Sequence, residues 1–230
     1  MGAQWKNRIR QASGAAKGKV FSKLAKEIAL AAKAGADPAM NARLRTAIET
    51  AKKVSMPRDT LERAIKKGAG LLDDKASDET LVIEGFAPHQ VPVMVECVTD
   101  NTKRTLQNLR YLFRNGRLTP VAWDFTHVGL IEATAPADAD AEEVAIETGA
   151  QDVERDGDGE VRFYTEPADL DAVSHALSTR GWAVSTMRLG WRAKNPVHLA
   201  DPGARAEVEQ FLADLDEDDD VQNIDVGLAG

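Results

Sequence analysis

Cysteine is nearly absent from this chain of 230 residues: Cys97 stands alone. One thiol can close no intramolecular disulfide and build no thiolate metal cluster, which fits a reducing compartment. Aromatic residues make up only 5%, so a core must be built chiefly from Ala, Val, Leu and Ile. No apolar run approaches the roughly 18 residues of a membrane span. The basic opening MGAQWKNRIR passes straight into a polar Ala/Gly-rich stretch, without the apolar segment of a secretory signal. A cytoplasmic location is the expectation. Catalytic motifs are missing too: there is no G-x-S-x-G and no glycine loop of Walker or Rossmann spacing. The four histidines, His89, His127, His175 and His198, stand singly in different segments, without the spacing of a metal set. The chain therefore reads as a non-enzyme, with no cofactor and no metal.

What is present is charge, unevenly placed. The whole chain carries a formal net charge of −8, from 29 Lys and Arg against 37 Asp and Glu. Residues 1–70 hold 16 of the bases and only 5 of the acids, leaving 13 against 32 for the remainder. The head is thus net +11 and the body net −19. Lys and Arg often do no more than solvate helix faces, but so large an excess points to a polyanionic partner for the head. Hydrophobic residues at 43% are ample for globular domains beyond it.

The order of periodicities gives an α+β fold. Residues 1–20 lack apolar periodicity and read as a basic flexible arm. Apolar residues then recur at helical spacing from Phe21 to Ala34, from Asp37-Pro38, with Asp37 as cap, to a break at Ser55-Met56-Pro57, and in a third helix with Arg58 outward that ends at Gly68. These make a basic three-helix domain over 21–78. Strand-like alternation follows in TLVIEGF (80–86), VPVMVECV (91–98) and VAWDF (121–125), with a helix capped at Thr99/Asp100 between the last two. The stretch 129–194 then repeats β-α-β-β-α-β, the ferredoxin-like order: GLIEA (129–133), an acidic helix at 138–148 carrying Val144 and Ile146, a hairpin turning at 156–159, a helix at 167–180, and WAVSTMRL (182–189). A helix at 202–215 and a strand at 221–226 return to the earlier sheet. The organisation expected is an N-terminal three-helix domain followed by two ferredoxin-like α+β domains, one (129–194) inserted in the other (79–128 plus 195–230).

Candidate phosphate contacts are the cations of the arm and helices: Lys6, Arg8, Arg10, Lys17, Lys19, Lys23, Arg43, Arg45, Lys52, Lys53, Arg58, Arg63, Lys66 and Lys67. Trp5 joins them, either stacking on a base or anchoring the arm on the protein itself. Cys97 alternates within a strand and reads as a buried structural thiol. The acidic run Asp214–Asp220 lacks calcium-loop spacing and reads as a solvated helix end, with repulsion of nucleic acid as a second role.

Five segments, KGKVFSKLAKEI, NARLRTAIETAK, SMPRDTLERAIKKGAG, VMVECVTDN and DLDEDDDVQNI, resemble the YebC/PmpR family, in order and across nearly the whole chain. The resemblance implies the same three-helix head and two α+β domains, one inserted in the other. It also implies a regulator of gene expression. Members of the family are usually described as DNA-binding transcriptional regulators, and some as ribosome-acting factors that relieve stalling on proline-rich nascent chains. Mitochondrial relatives are translational activators. The chain departs from the family pattern at Gly2-Ala3-Gln4-Trp5, at His89-Gln90 where the family has paired glycines, and in a contracted loop at Asn115–Leu118. Two readings stay open at this point. A DNA-binding regulator would grip a duplex through residues 1–70. A ribosome-associated factor would bind rRNA through the same residues, with the acidic domains facing ribosomal proteins. An acidic protein–protein adaptor is the third class.

Overall fold

The structure, a computed structural model, describes residues 16–72, 78–137, 139–155 and 159–229. Those residues divide into two compact units. One holds 16–19, 78–126 and 191–229, the other 20–72 and 127–190.

Three helices come first in the chain, α1 (Ala16–Ala32), which belongs to the second unit from Val20 on, α2 (Ala42–Lys53) and α3 (Arg58–Gly68). Helix α1 starts within what reads from sequence as a flexible arm, so residues 16–20 are helical. The reason is local: Val20 and Phe21 continue the apolar stripe of Leu24 and Ile28 back by one turn. The cap of α2 is Asn41 rather than Asp37. Asp37 accepts from the Ala39 amide at 2.9 Å in a preceding turn. Asn41 accepts from the Leu44 amide at 3.0 Å and donates its own amide to the carbonyls of Ala31 and Gly35, both at 2.8 Å. One side chain thus closes the end of α1 and opens α2. Ile28, Ala31, Ala32, Leu44, Ala47, Ile48, Ala51 and Ala64 form the core between the helices, and Met56 from the turn after α2 fills it. Small residues permit close approach, most closely at Gly68. A Cβ there would lie 2.0 Å from the Ala29 carbonyl oxygen.

The same unit contains a four-stranded sheet of β4 (Phe125–Thr134), β5 (Asp152–Arg155), β6 (Glu160–Thr165) and β7 (Ala183–Ala193), ordered β5-β6-β4-β7. Helices α5 (Ala141–Thr148) and α6 (Leu170–Thr179) complete the β-α-β-β-α-β order read from the sequence. Alternation sets the register: Ile131 pairs with Phe163 and Ala133 with Val161, all inward. Trp182 stands edge-on to Phe163, ring centroids 5.1 Å apart. In α5, Val144 is buried but Ile146 is 83% exposed. Two residues apart on a helix, the pair does not share a face. The Asp156-Gly157-Asp158 part of the hairpin turn lies outside the described residues. Helix α2 packs on this sheet's helix α6: Ala42 joins the sheet's core and the Thr50 hydroxyl donates to the Ser185 carbonyl at 2.9 Å.

The first unit is built on β1 (Glu79–Phe86), β2 (Pro92–Thr99), the two-residue β3 (Arg117–Leu118) and β8 (Val221–Val226), ordered β3-β1-β2-β8. Helices α4 (Thr102–Leu112) and α7 (Pro202–Asp216) pack on it. The α+β class expected from the periodicities is what the structure has. Of residues 121–125, read as a strand, Ala122–Asp124 are instead a one-turn 3₁₀ segment and only Phe125 is in a strand, as the first residue of β4. Glu84 causes this, its carboxylate accepting from the amides of Val121 at 2.7 Å and Ala122 at 2.8 Å, so these groups are lost to a ladder. Strand β4 begins just beyond. Asn101, not Thr99 or Asp100, caps α4, accepting from the Arg104 amide at 3.1 Å. His89 and Gln90, in the place of the family's paired glycines, both take left-handed backbone with φ of 60° and 59°, which is why glycine suits that turn. Cys97 is fully buried in β2, a strand covered on both faces. The acidic run is not wholly solvated. Asp220 is 6% exposed and accepts from Thr105 and Arg104.

Candidate nucleic-acid interface

Helices α2 and α3 turn one narrow Ala/Leu/Ile stripe to the core and leave the rest to cations. In α3 the inward set is Leu61, Ala64, Ile65 and Gly68. The outward set is Arg58, Arg63 and Lys66, all exposed, with Lys67 half-buried. Arg63 and Lys66 stand three residues apart and therefore share one face. In α2, Lys52 and Lys53 are exposed in the last turn. A cation in a last turn offsets the negative end of the helix macrodipole by a few tenths of a kcal/mol, roughly, with no ligand required. Position alone therefore does not make these residues contacts.

What separates the cations is their bonding. Arg43 is tied inside the head, its guanidinium 2.8 and 2.9 Å from Glu27 Oε1 with both side chains mostly covered. Arg45 donates to the Pro38 carbonyl at 3.0 Å. Both are bonded within the three-helix head. Arg58 pairs with Glu62 one turn on at 2.8 Å. That hydrogen bond, helped by the charges of Arg58 and Lys66, holds the Glu62 carboxyl below its ordinary range. Lys19 donates to the Glu217 carbonyl at 3.0 Å and meets its carboxylate. Lys23 is half-buried. Among the described residues, Lys52, Lys53 and Arg63 form no ion pair, and Lys66 forms none within 4 Å of a carboxylate. These four are the cations of the described head with no close carboxylate, Lys66 acting on Glu62 only at longer range. Trp5, Lys6, Arg8, Arg10 and the Lys17 side chain lie outside the described residues.

The outer surfaces of α2 and α3 carry no Asn or Gln within the helices, whose sequences are ARLRTAIETAKK and RDTLERAIKKG. Bidentate reading of adenine edges by an amide is therefore not built into these helices. What they offer is a set of point charges on a rigid small-residue scaffold, suited to phosphates.

No group of three or more His, Cys, Asp or Glu among the described residues is arranged to hold a metal ion. No helix among them is long and apolar enough to cross a membrane. The cationic candidates read from the sequence all fall before residue 70. The structure adds exposed cations in the acidic part of the chain, Lys103, Arg110 and Arg114 on and just after α4. Their spacing of seven and four residues is the signal that finds them.

Comparison with known proteins gives the family. The profile described as "TACO1/YebC protein N-terminal domain" matches residues 2–71, and "TACO1/YebC second and third domain" matches residues 78–227. A probable transcriptional regulatory protein of Pseudomonas syringae pv. tomato is 57% identical over the full length of both chains. A protein of the same description from Bdellovibrio bacteriovorus is 50% identical over 97% of this chain and 98% of its own. Among solved structures, a conserved hypothetical protein of Aquifex aeolicus superposes with a TM-score of 0.84 at 39% identity, over 94% of this chain and 91% of its own. With both profiles together spanning nearly every residue, in one order and on one fold, this chain belongs to the TACO1/YebC family.

Proposed function

We propose that this protein is a non-enzymatic, nucleic-acid-binding regulator of gene expression that holds its target through the phosphates. The observation carrying this reading is a set of four exposed cations, Lys52, Lys53, Arg63 and Lys66, which have no close carboxylate among the described residues, on a head of net +11. The relatives' description as probable transcriptional regulatory proteins supports a DNA target. A second reading has its own support. Helices α2 and α3 offer charges without base-reading amides, and a shape-and-phosphate grip of that kind suits folded ribosomal RNA. Under it, the protein is a ribosome-associated factor acting on stalled proline-rich nascent chains, with its acidic surfaces turned to basic ribosomal proteins.

Sedimentation of a native lysate through sucrose at stepped salt, with and without RNase, separates the two. Migration with ribosomal particles, abolished by RNase and by salt, selects the ribosomal reading. Absence from those particles at every salt, with binding of the purified protein to duplex DNA, selects the transcriptional one. Failure of the purified protein to bind DNA, RNA or ribosomes at low salt overturns both.

A further inference from the structure

The acidic part of the chain contains one segment that breaks its own rule. Residues 101–119 hold Lys103, Arg104, Arg110, Arg114 and Arg117 and no Asp or Glu. Most of these residues belong to α4 and the 3₁₀ turn that extends it, Phe113–Asn115. The inward face is Thr105, Leu109 and Phe113. Opposite it run Lys103, Gln107, Arg110 and Arg114, at i, i+4, i+7 and i+11, all exposed. At 1.5 Å per residue the stripe is about 16 Å long. Arg104 lies off it, bonded to Asp220 at 3.0 Å and Asp100 at 2.9 Å. Among the described residues Lys103, Arg110 and Arg114 have no carboxylate partner, although this part of the chain is rich in carboxylates.

Beside the stripe stands Tyr111, 64% exposed. The Arg114 guanidinium lies over its ring, 4.6 Å from the centroid, and Arg114 Nη1 donates to the phenol oxygen at 2.6 Å. The ring is thereby held in one orientation with much of its surface in solvent. Next to it is a hollow of about 320 Å³, lined by Tyr111 and Arg114 together with Asn115, Glu207, Gln210 and Asp214. The two carboxylates are already positioned, Glu207 by His89 at 2.8 Å and Asp214 by the Gln210 amide at 2.8 Å. Such a hollow repels phosphate but accepts the amino groups of a base, while the cationic stripe outside it attracts phosphate.

We propose that this face of α4 is a second nucleic-acid contact, taking a single strand: phosphates along Lys103, Arg110 and Arg114, and one base turned onto Tyr111 at the hollow. Stacking on an aromatic ring needs an unpaired base, which excludes duplex from the Tyr111 part of the site. The chemistry is shared by single-stranded RNA and DNA. The proposal rests on the nucleic-acid-binding reading above but concerns different residues, so the two fail separately.

The test uses the full chain and two 20-nucleotide fluorescein-labelled probes, oligocytidylate and oligodeoxycytidylate, which share an amino-bearing base and differ only in the sugar, followed by anisotropy across a potassium chloride series. The probe preferred by wild type identifies the sugar. The triple variant Lys103→Gln, Arg110→Gln, Arg114→Gln is expected to lose tenfold or more in affinity for that probe. Its log–log salt slope should fall by about 2, since each single-strand phosphate contact contributes about 0.7. Tyr111→Ala is expected to lose about tenfold, Tyr111→Phe to retain stacking and stay within twofold, and neither to alter affinity for a 20-base-pair duplex. All four side chains are exposed, and circular dichroism confirms that the variants fold. Wild-type affinity and slope in the triple variant, with loss on neutralising Lys52, Lys53, Arg63 and Lys66, overturns this proposal and leaves the head. Loss in the α4 variant alone supports this proposal and removes the head. Wild-type binding in both overturns both.

Discussion

The Thr105 hydroxyl donates to the Asp220 carboxylate at 2.8 Å in the interior of the first unit, across 115 residues of sequence. Asp220 also accepts from Arg104 at 3.0 Å, and its backbone carbonyl takes the Val98 amide at 2.8 Å. Helix α4, strand β2 and the turn into β8 are joined at one residue, α4 through its carboxylate and β2 through its backbone carbonyl. Its presence beside Arg104 raises the Arg104 pKa above the ordinary guanidinium value, chiefly by that hydrogen bond.

Asp220→Ala is therefore expected to destabilise the protein by about 2–4 kcal/mol, because it removes the carboxylate that accepts from the buried Thr105 hydroxyl and from Arg104. The neighbouring Asp219→Ala should cost well under 1 kcal/mol, as an exposed carboxylate. Urea denaturation of both variants checks this. Equal small losses would show that the acidic run is solvated throughout, as composition alone implies.

How far the sequence could be read depends on whether the deciding contact is local. The helices, the ferredoxin-like repeat and the strand at 221–226 were legible because each rests on its own period and turn residues. The cap at Asn41 was not, since what selects it over Asp37 is a pair of bonds to the carbonyls of Ala31 and Gly35. Likewise the loss of a strand at 121–124 depends on Glu84, 37 residues away. At the candidate interface the residue types were legible and the sorting was not. Composition cannot tell Arg43, paired to Glu27, from Arg63, paired to nothing described. The stripe on α4 is invisible to net charge, because averaging over an acidic body removes a local excess.

Gly68→Ala reverses a familiar sign. Within a helix, alanine is normally more stable than glycine by about 0.5–1 kcal/mol. Here the added Cβ would lie 2.0 Å from the Ala29 carbonyl oxygen and 2.8 Å from its carbonyl carbon. Backbone atoms cannot rotate away, so α3 must move off α1 and open the core around Ile28 and Ala64. A loss of about 2–3 kcal/mol is expected, read as a lowered melting temperature. Gly18→Ala, with open space around the new atom, is the control and should be neutral or stabilising.

Tyr164 makes stability fall at high pH. The residue is 5% exposed, its hydroxyl donating to Glu154 at 3.0 Å. Burial pushes its phenol from 10.0 up to about 12; Arg162 pulls it down in part, and Glu154 raises it further. The folded protein thus holds this proton more tightly than the unfolded chain. Its contribution is complete below pH 10 and is lost as pH rises towards 12, amounting to about 3 kcal/mol at the end. Tyr164→Phe should flatten the stability curve between pH 10 and 12. An unchanged slope there would mean that Tyr164 ionises as readily folded as unfolded.

Bonding within the head decides which cations serve a ligand, and this can be measured. Arg43→Gln breaks the covered pair with Glu27 and leaves a largely buried carboxylate, at a cost of about 1–3 kcal/mol in stability. It should leave the salt dependence of duplex binding intact, because a guanidinium already neutralised by Glu27 releases no counterion from DNA. The fourfold variant Lys52→Gln, Lys53→Gln, Arg63→Gln, Lys66→Gln should do the opposite. Its fold should be retained within about 1 kcal/mol, since exposed charges contribute little. Its log–log salt slope should drop by up to about 3–4, at about 0.9 per phosphate contact. Binding isotherms across a potassium chloride series, beside thermal melts, read both quantities on both variants. If the fourfold variant keeps its slope while Arg43→Gln loses it, the unpaired cations of α2 and α3 are solvated spectators and the covered pair opens to reach the phosphate.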